Sequence, residues 1–226
     1  MLYRTLELTV APALRALYRP LVVGLEHVPR RGPVIIAANH VSFADEIFTP
    51  LAARRQVVYF AKAEYFTTPG LRGTAMAAFF NGLGHVPVAR ADTRSAAASI
   101  DVGLRALREG RALGIFPEGT RSPDGDLYKF RTGVARLALR SGAPVVPVGI
   151  AGTREVLPPD SSRWRVAPVQ LRFGAPLDFS ASAGSERSAR MLRSVTEQVR
   201  QAVQMLSGQD YVDRYASSGR SGDSAL

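Results

Sequence analysis

The feature that most constrains this chain is a set of short apolar runs, each a few residues long and partly β-branched. Val34-Ile35-Ile36-Ala37-Ala38 leads directly into Asn39-His40, Ala112-Leu113-Gly114-Ile115-Phe116 is ended by Pro117, and Val145-Val146-Pro147-Val148-Gly149-Ile150 forms a third. Runs this short, without polar alternation, read as strands buried on both faces. Further strand patterns fall at 21–25, 57–61, 85–88 and 169–173, and helical patterns at 43–53, 71–80, 95–108 and 133–140 separate most of them. A final amphipathic pattern covers 185–206. Such alternation predicts an α/β domain with a central mixed, mostly parallel sheet flanked by helices.

The first of these strands delivers the segment Asn39-His40-Val41-Ser42-Phe43-Ala44-Asp45 at its carboxyl end, where ligand sites of open α/β sheets gather. A histidine titrates near pH ~6.5, so it can take a proton from an alcohol around neutrality. Ser42 is a suitable N-cap for the following helical pattern. That places Asp45 in a first turn, from which its carboxylate can fold back to fix the imidazole tautomer and stabilise the imidazolium. Taken alone, the same residues also fit a bland reading, with His40 satisfying a strand end and Asp45 favouring the helix dipole.

Downstream, Phe116-Pro117-Glu118-Gly119-Thr120-Arg121-Ser122 again sets polar residues at the end of a buried strand. Gly119 would let backbone N–H groups approach an anion, and Arg121 offers a planar fork for two phosphate oxygens. Glu118 beside an anion site needs donors of its own, from an arginine or a substrate hydroxyl. A plain turn at Gly119-Thr120 with a solvated Arg121 is the alternative.

In that order, the two segments resemble the first and third motif blocks of the glycerolipid acyltransferases, which move an acyl group from a thioester onto a glycerol-phosphate hydroxyl. Gly84-His85-Val86-Pro87-Val88-Ala89-Arg90 is similar to the second block, in which an arginine is implicated in binding the acceptor's phosphate, and Arg90 matches that position. The 145–150 run resembles the fourth block and carries no reactive side chain. The resemblance covers about 34–152 and departs little, Ala89 standing where many members have a polar residue. It implies the glycerol-phosphate acyltransferase fold, His40 as base with Asp45 orienting it, and Arg90, Glu118, Gly119, Thr120 and Arg121 as substrate-binding residues. It also implies 1-acylglycerol-3-phosphate as acceptor, and acyl-coenzyme A or acyl carrier protein as donor, with no cofactor. His85 has no role in that pattern.

Composition fits an enzyme working at a membrane surface. The 226 residues carry a formal net charge of +10, and Lys62 and Lys129 are the only lysines, so the positive charge is nearly all arginine. That suits anionic headgroups and phosphorylated substrates. A nucleic-acid partner is not expected, since the arginines are scattered and no zinc-finger spacing or aromatic RNA-binding strand occurs. There are no cysteines, which removes disulfides, thiolate metal sites and a cysteine acyl-enzyme and suits the cytoplasm. His27, His40 and His85 lack zinc spacing, so no metal is expected.

No run reaches the ~18 apolar residues of a spanning helix. Residues 1–20 place Leu2, Leu6, Val10, Leu14 and Leu17 at helical spacing with arginines nearby, despite Pro12, either lying in a bilayer interface or docked on the protein's own core. The segment lacks the marks of a secretory signal. The expected layout is an amphipathic helix at 1–20, an acyltransferase domain at 21–206 and a flexible tail at 207–226, the enzyme being peripheral at the cytoplasmic face of the cell membrane. Residues 157–165, with Trp164, read as an exposed loop. Rival functions are transfer to another lysolipid or glycerol-phosphate acceptor, a hydrolase with Ser42 as nucleophile, and a non-catalytic lipid-binding module. The hydrolase lacks a Gly-x-Ser-x-Gly elbow.

Overall fold

A computed structural model describes residues 2–62, 64–88, 93–159 and 161–217. The chain begins with helix α1 (Leu2–Tyr18), strand β1 (Leu21–Val23), strand β2 (Val34–Ala38) and helix α2 (Asp45–Ala53). Strands β3 (Val57–Val58) and β4 (Phe60–Lys62) follow, then helices α3 (Glu64–Thr67) and α4 (Leu71–Leu83), strand β5 (Val86–Val88) and helix α5 (Thr93–Arg108). Strands β6 (Ala112–Ile115) and β7 (Leu127–Tyr128) lead to helix α6 (Gly133–Ser141), strand β8 (Val145–Ala151) and helix α7 (Thr153–Val156). Strand β9 (Gln170–Phe173), helix α8 (Ala189–Ser207) and strand β10 (Tyr211–Val212) complete it.

Six strands form the central sheet in the order β1-β9-β8-β2-β6-β3. β2 runs parallel to both of its neighbours, β6 and β8, and β3 runs parallel to β6. β9 turns antiparallel to β8, and β1 follows β9 in parallel, so the sheet is mixed and mostly parallel, as expected. Period-two alternation splits β2 between two cores. Val34, Ile36 and Ala38 face a cluster with Phe48 and Leu51 of α2, while Ile35 and Ala37 face one with Leu104, Leu137, Val199 and Val203 of α5, α6 and α8. With helices on both faces, every residue of β2 is buried, which is why its sequence is a continuous apolar run.

Several boundaries differ from the sequence reading, each for a local reason. The strand expected at 57–61 breaks at Tyr59 into β3 in the central sheet and β4 paired with β5. There the Tyr59 N–H donates to His85 Nδ1 and the Tyr59 carbonyl accepts from Val86 N–H, so the ladder changes partner at one residue. The last helix starts at Ala189 because Ser188 caps it, its hydroxyl accepting from Met191 N–H at 3.2 Å. Within the stretch assigned to a tail, β10 pairs with β7, and Arg200 stacks over the Tyr211 ring at 3.9 Å, so 207–217 lies against the domain; 218–226 falls outside the described residues. α1 docks through Ala11, Leu14 and Tyr18, the last meeting Phe48 edge-on at 5.1 Å, while Leu8, Val10 and Leu17 remain exposed. Among the described residues, no helix is long and apolar enough to cross a membrane.

Candidate active site

The site grows from the end of β2. Asn39 is fully buried, and its side-chain amide pairs with Ile150 in both directions: Nδ2 donates to the carbonyl at 2.9 Å and Oδ1 accepts the N–H at 2.8 Å. The amide thereby continues the β2–β8 ladder one step past the strand and sets where the next residue leaves. That residue is His40.

His40 is held on both sides of its backbone by the 116–122 loop. Its N–H donates to Glu118 Oε1 at 2.9 Å and its carbonyl accepts from Ser122 N–H at 2.7 Å. Its imidazole lies flat on Phe116, ring centroids 3.9 Å apart and planes 11° from parallel, and Phe116 lies in turn on Tyr59 at 5.3 Å and 10°. The Tyr59 ring fits because Gly114 has no side chain; a Cβ there would meet Tyr59 Cε1 at 2.3 Å.

Asp45 opens α2 and is wholly buried. Its Oδ2 takes three bonds, from His40 Nδ1 at 2.9 Å, Val41 N–H at 2.8 Å and Ser42 N–H at 2.9 Å, while Oδ1 is buried without a partner among the described residues. With the two backbone donors also on Oδ2, the carboxylate is fixed, and the imidazole is oriented by donating its Nδ1 proton to it. Nε2 has no partner among the described residues, leaving it for a substrate proton. The helix begins at Asp45, two residues later than the sequence suggested, and Ser42 caps the turn that leads into it. Its hydroxyl accepts from Ala44 N–H at 3.1 Å and donates to the Leu157 carbonyl at 2.7 Å, and the carboxylate of Asp45 satisfies the amides of Val41 and Ser42. Buried and committed to Leu157, that hydroxyl is not poised as a nucleophile.

Glu118 is held by two distant backbone groups. It is completely buried, with Oε1 on His40 N–H and Oε2 on Tyr128 N–H, both at 2.9 Å. With one oxygen on each of two backbone N–H groups, it ties the β2 end to β7 and thereby positions His40. Burial pushes its carboxyl up to about 7, opposed by those two N–H bonds and reinforced by the nearby Asp45 and Asp124 charges. The N–H of Gly119 itself is donated to the Phe116 carbonyl at 3.0 Å. The residue is needed for a left-handed turn at φ +81, and for room: a Cβ would meet Arg131 Nε at 2.7 Å. Arg131 thus lies over the motif, a neighbour no sequence spacing announced.

Thr120 is half-buried and Arg121 exposed, one residue before the Ser122 bond to His40, and neither side chain has a hydrogen-bond partner among the described residues. Arg90 lies outside the described residues. His85 is buried and accepts from Tyr59 N–H; burial, aided by Arg111, lowers it to about 4, so it stays neutral as a structural acceptor.

A family model described as Acyltransferase matches residues 19–151, more than half of the chain. Over 145 residues the chain is 34% identical to a chloroplastic 1-acyl-sn-glycerol-3-phosphate acyltransferase of Brassica napus, covering 64% of this chain and 40% of that one. A 1-acyl-sn-glycerol-3-phosphate acyltransferase of Borreliella burgdorferi is 33% identical over 133 residues, or 59% of this chain and 51% of its own length. The chain therefore spans about half or less of these relatives. The crystal structure of a 1-acyl-sn-glycerophosphate acyltransferase from Thermotoga maritima superposes with a TM-score of 0.63 at 25% identity, covering 92% of this chain and 84% of that one.

Proposed function

Because the chain belongs to the acyltransferase family, we propose that it transfers an acyl chain from a thioester to the free hydroxyl of 1-acylglycerol-3-phosphate, forming phosphatidate. The observation that carries this reading is the His40–Asp45 pair, a buried carboxylate bonded to Nδ1 at 2.9 Å with Nε2 left open. The relatives named for this acceptor support the choice of substrate.

In the proposed reaction His40 Nε2 takes the proton of the attacking hydroxyl as its oxygen bonds to the thioester carbonyl carbon. The tetrahedral oxyanion then collapses, the C–S bond breaks, and the imidazolium returns the proton to the departing thiolate. Asp45 holds the ring in the required tautomer and stabilises the imidazolium. Arg121 and Thr120, with Arg90, bind the acceptor's phosphate, Arg121 by its bidentate fork. A thioester is already reactive, so orientation and alcohol activation supply most of the rate. The donor is acyl-coenzyme A or acyl carrier protein, and the enzyme acts peripherally at the cytoplasmic face of the cell membrane.

The reaction is tested by giving the purified protein an acyl thioester with and without lysophosphatidate, and measuring free thiol and phosphatidate. Thiol release that requires the acceptor, matched by phosphatidate, is the expected result. Release without acceptor would make the protein a hydrolase, and no release a binding module.

A further inference from the structure

The antiparallel turn at β9 has a geometric result: β9 and β1 start at the end of the sheet where β2 finishes. Leu21 pairs with Gln170, Gln170 pairs with Ala151, and neighbouring Ile150 is the residue that Asn39 grips. The beginning of β1 and the segment entering β9 therefore share the sheet edge that carries His40. The same segment is tied to the site's flank, since Arg165 N–H donates to the Val156 carbonyl and the adjoining Leu157 carbonyl accepts the Ser42 hydroxyl.

This edge exposes several large apolar side chains together. Leu21 is 57% exposed, Val166 65% and Trp164 44%. Leu21 and Val166 wall one open groove with Tyr18 and Arg19. Every residue from 162 to 166 is exposed. Arg19, Arg163 and Arg165 stand among these side chains, and none makes an ion pair with a described residue. No carboxylate occurs in 8–25 or 161–177. Clustered exposed apolar residues mark a contact surface. A tryptophan flanked by arginines suits an interface that is apolar at depth and anionic at its rim. A nucleic acid would match the charge and leave Leu21 and Val166 in water.

We propose that Leu21, Trp164 and Val166, rimmed by Arg19, Arg163 and Arg165, dock the protein on an anionic lipid bilayer with the His40 edge facing the membrane. The inference rests on the acyl-transfer reading of that edge: an acceptor anchored in the bilayer by its own acyl chain reaches the base without leaving the membrane. It assigns the contact to a surface built from two distant segments rather than to the amino-terminal helix alone.

Trp164 is the sole tryptophan, so its fluorescence reports this surface directly. Mixing the full chain with phosphatidylglycerol-containing vesicles should shift emission to the blue and allow brominated acyl chains to quench it. Pure phosphatidylcholine should do neither, and salt near ~0.5 M should reverse most of the shift as headgroup attraction is screened. Trp164→Ser with Val166→Ser should weaken co-sedimentation with anionic vesicles roughly tenfold and leave turnover of a short-chain soluble acceptor unchanged. Should that pair fail to fold, Arg163→Gln with Arg165→Gln provides the same measurement and should flatten its salt dependence. Vesicle binding with Trp164 emission unmoved would overturn the proposal, as would a shift that follows protein concentration without lipid, the sign of a second copy on this face. Lack of acyl transfer to the soluble acceptor with docking intact would sink the acyl-transfer reading and spare the surface.

Discussion

Two regions at the same sheet edge are built on opposite plans. Around His40 almost every polar group is spent: Asp45 Oδ2 takes three donors, both Glu118 oxygens take backbone N–H groups, and Asn39 pairs in both directions. At the rim, Arg121, Arg163 and Arg165 are exposed and unpaired among the described residues. The difference separates two jobs. A base must hold one geometry before substrate arrives, and buried, satisfied hydrogen bonds keep it there. Groups that meet a phosphate or a headgroup must stay solvated and free until the ligand provides the partner.

The sharpest way to break this contrast is to remove the base. His40→Ala should cost roughly 10²–10⁴ in kcat, the usual worth of general-base catalysis, with folding retained, as steady-state rates and a thermal melt on the same sample will show. A loss of only a few-fold would take the proton transfer away from this ring. Asp45→Asn comes next. An amide oxygen can still accept from Val41 and Ser42, but it cannot balance an imidazolium, so kcat should fall on the order of 10²-fold or more. Rescue of the rate at high pH would support the assigned role.

Glu118→Gln probes the inner region through the backbone of His40 and Tyr128. Only one of its two side-chain atoms can still accept, so either His40 N–H or Tyr128 N–H loses its partner, which costs about 1–3 kcal/mol in a buried site. We expect kcat to drop about tenfold, from a displaced His40, with little change in the acceptor KM. The same residue gives a pH signature. Its folded value of about 7 lies above the ordinary 4.5, so the native state holds the proton more tightly than the unfolded chain. Its contribution is thus fully present below ~4.5 and is lost as pH rises through about 7. The melting temperature of Glu118→Gln should accordingly depend less on pH between about 5 and 7.5 than that of the parent; equal slopes would contradict it.

The rim should respond differently. Arg121→Lys keeps the charge and loses the fork, raising the acceptor KM by roughly tenfold, equivalent to about 1.4 kcal/mol, with the melting temperature unmoved. A rise confined to the thioester KM would move this arginine to the donor. Ser42→Ala should have the smallest effect on rate. It leaves the Leu157 carbonyl and the Ala44 N–H without their side-chain partner, so stability falls by about 1–3 kcal/mol while turnover is spared. Loss of turnover in folded Ser42→Ala, or an acylated Ser42 in a quenched reaction, would replace direct transfer with a covalent intermediate.

Much of this was legible in the amino-acid sequence because it is local or periodic. β2 appears where Val34 to Ala38 is continuously apolar, and the five-residue step from His40 to Asp45 is closed by a single turn ahead of α2. What the sequence did not show lies in contacts between distant segments. Glu118 and His40 are 78 positions apart, and Asn39 and Ile150 are 111 apart, and the strand order β8-β2-β6 is what brings them together. Hence the hold of Glu118 on the backbone of His40 and Tyr128, and the place of Arg131 beside Gly119, are contacts that spacing along the chain does not announce. The β3–β4 break follows from His85 reaching Tyr59 across 26 positions, and the Trp164 segment meets the catalytic edge only because β9 runs against β8. Residue type and spacing determined which groups can do the chemistry. The tertiary structure decided which of them are buried and already bonded, and that settles whether a side chain holds the protein or waits for its substrate.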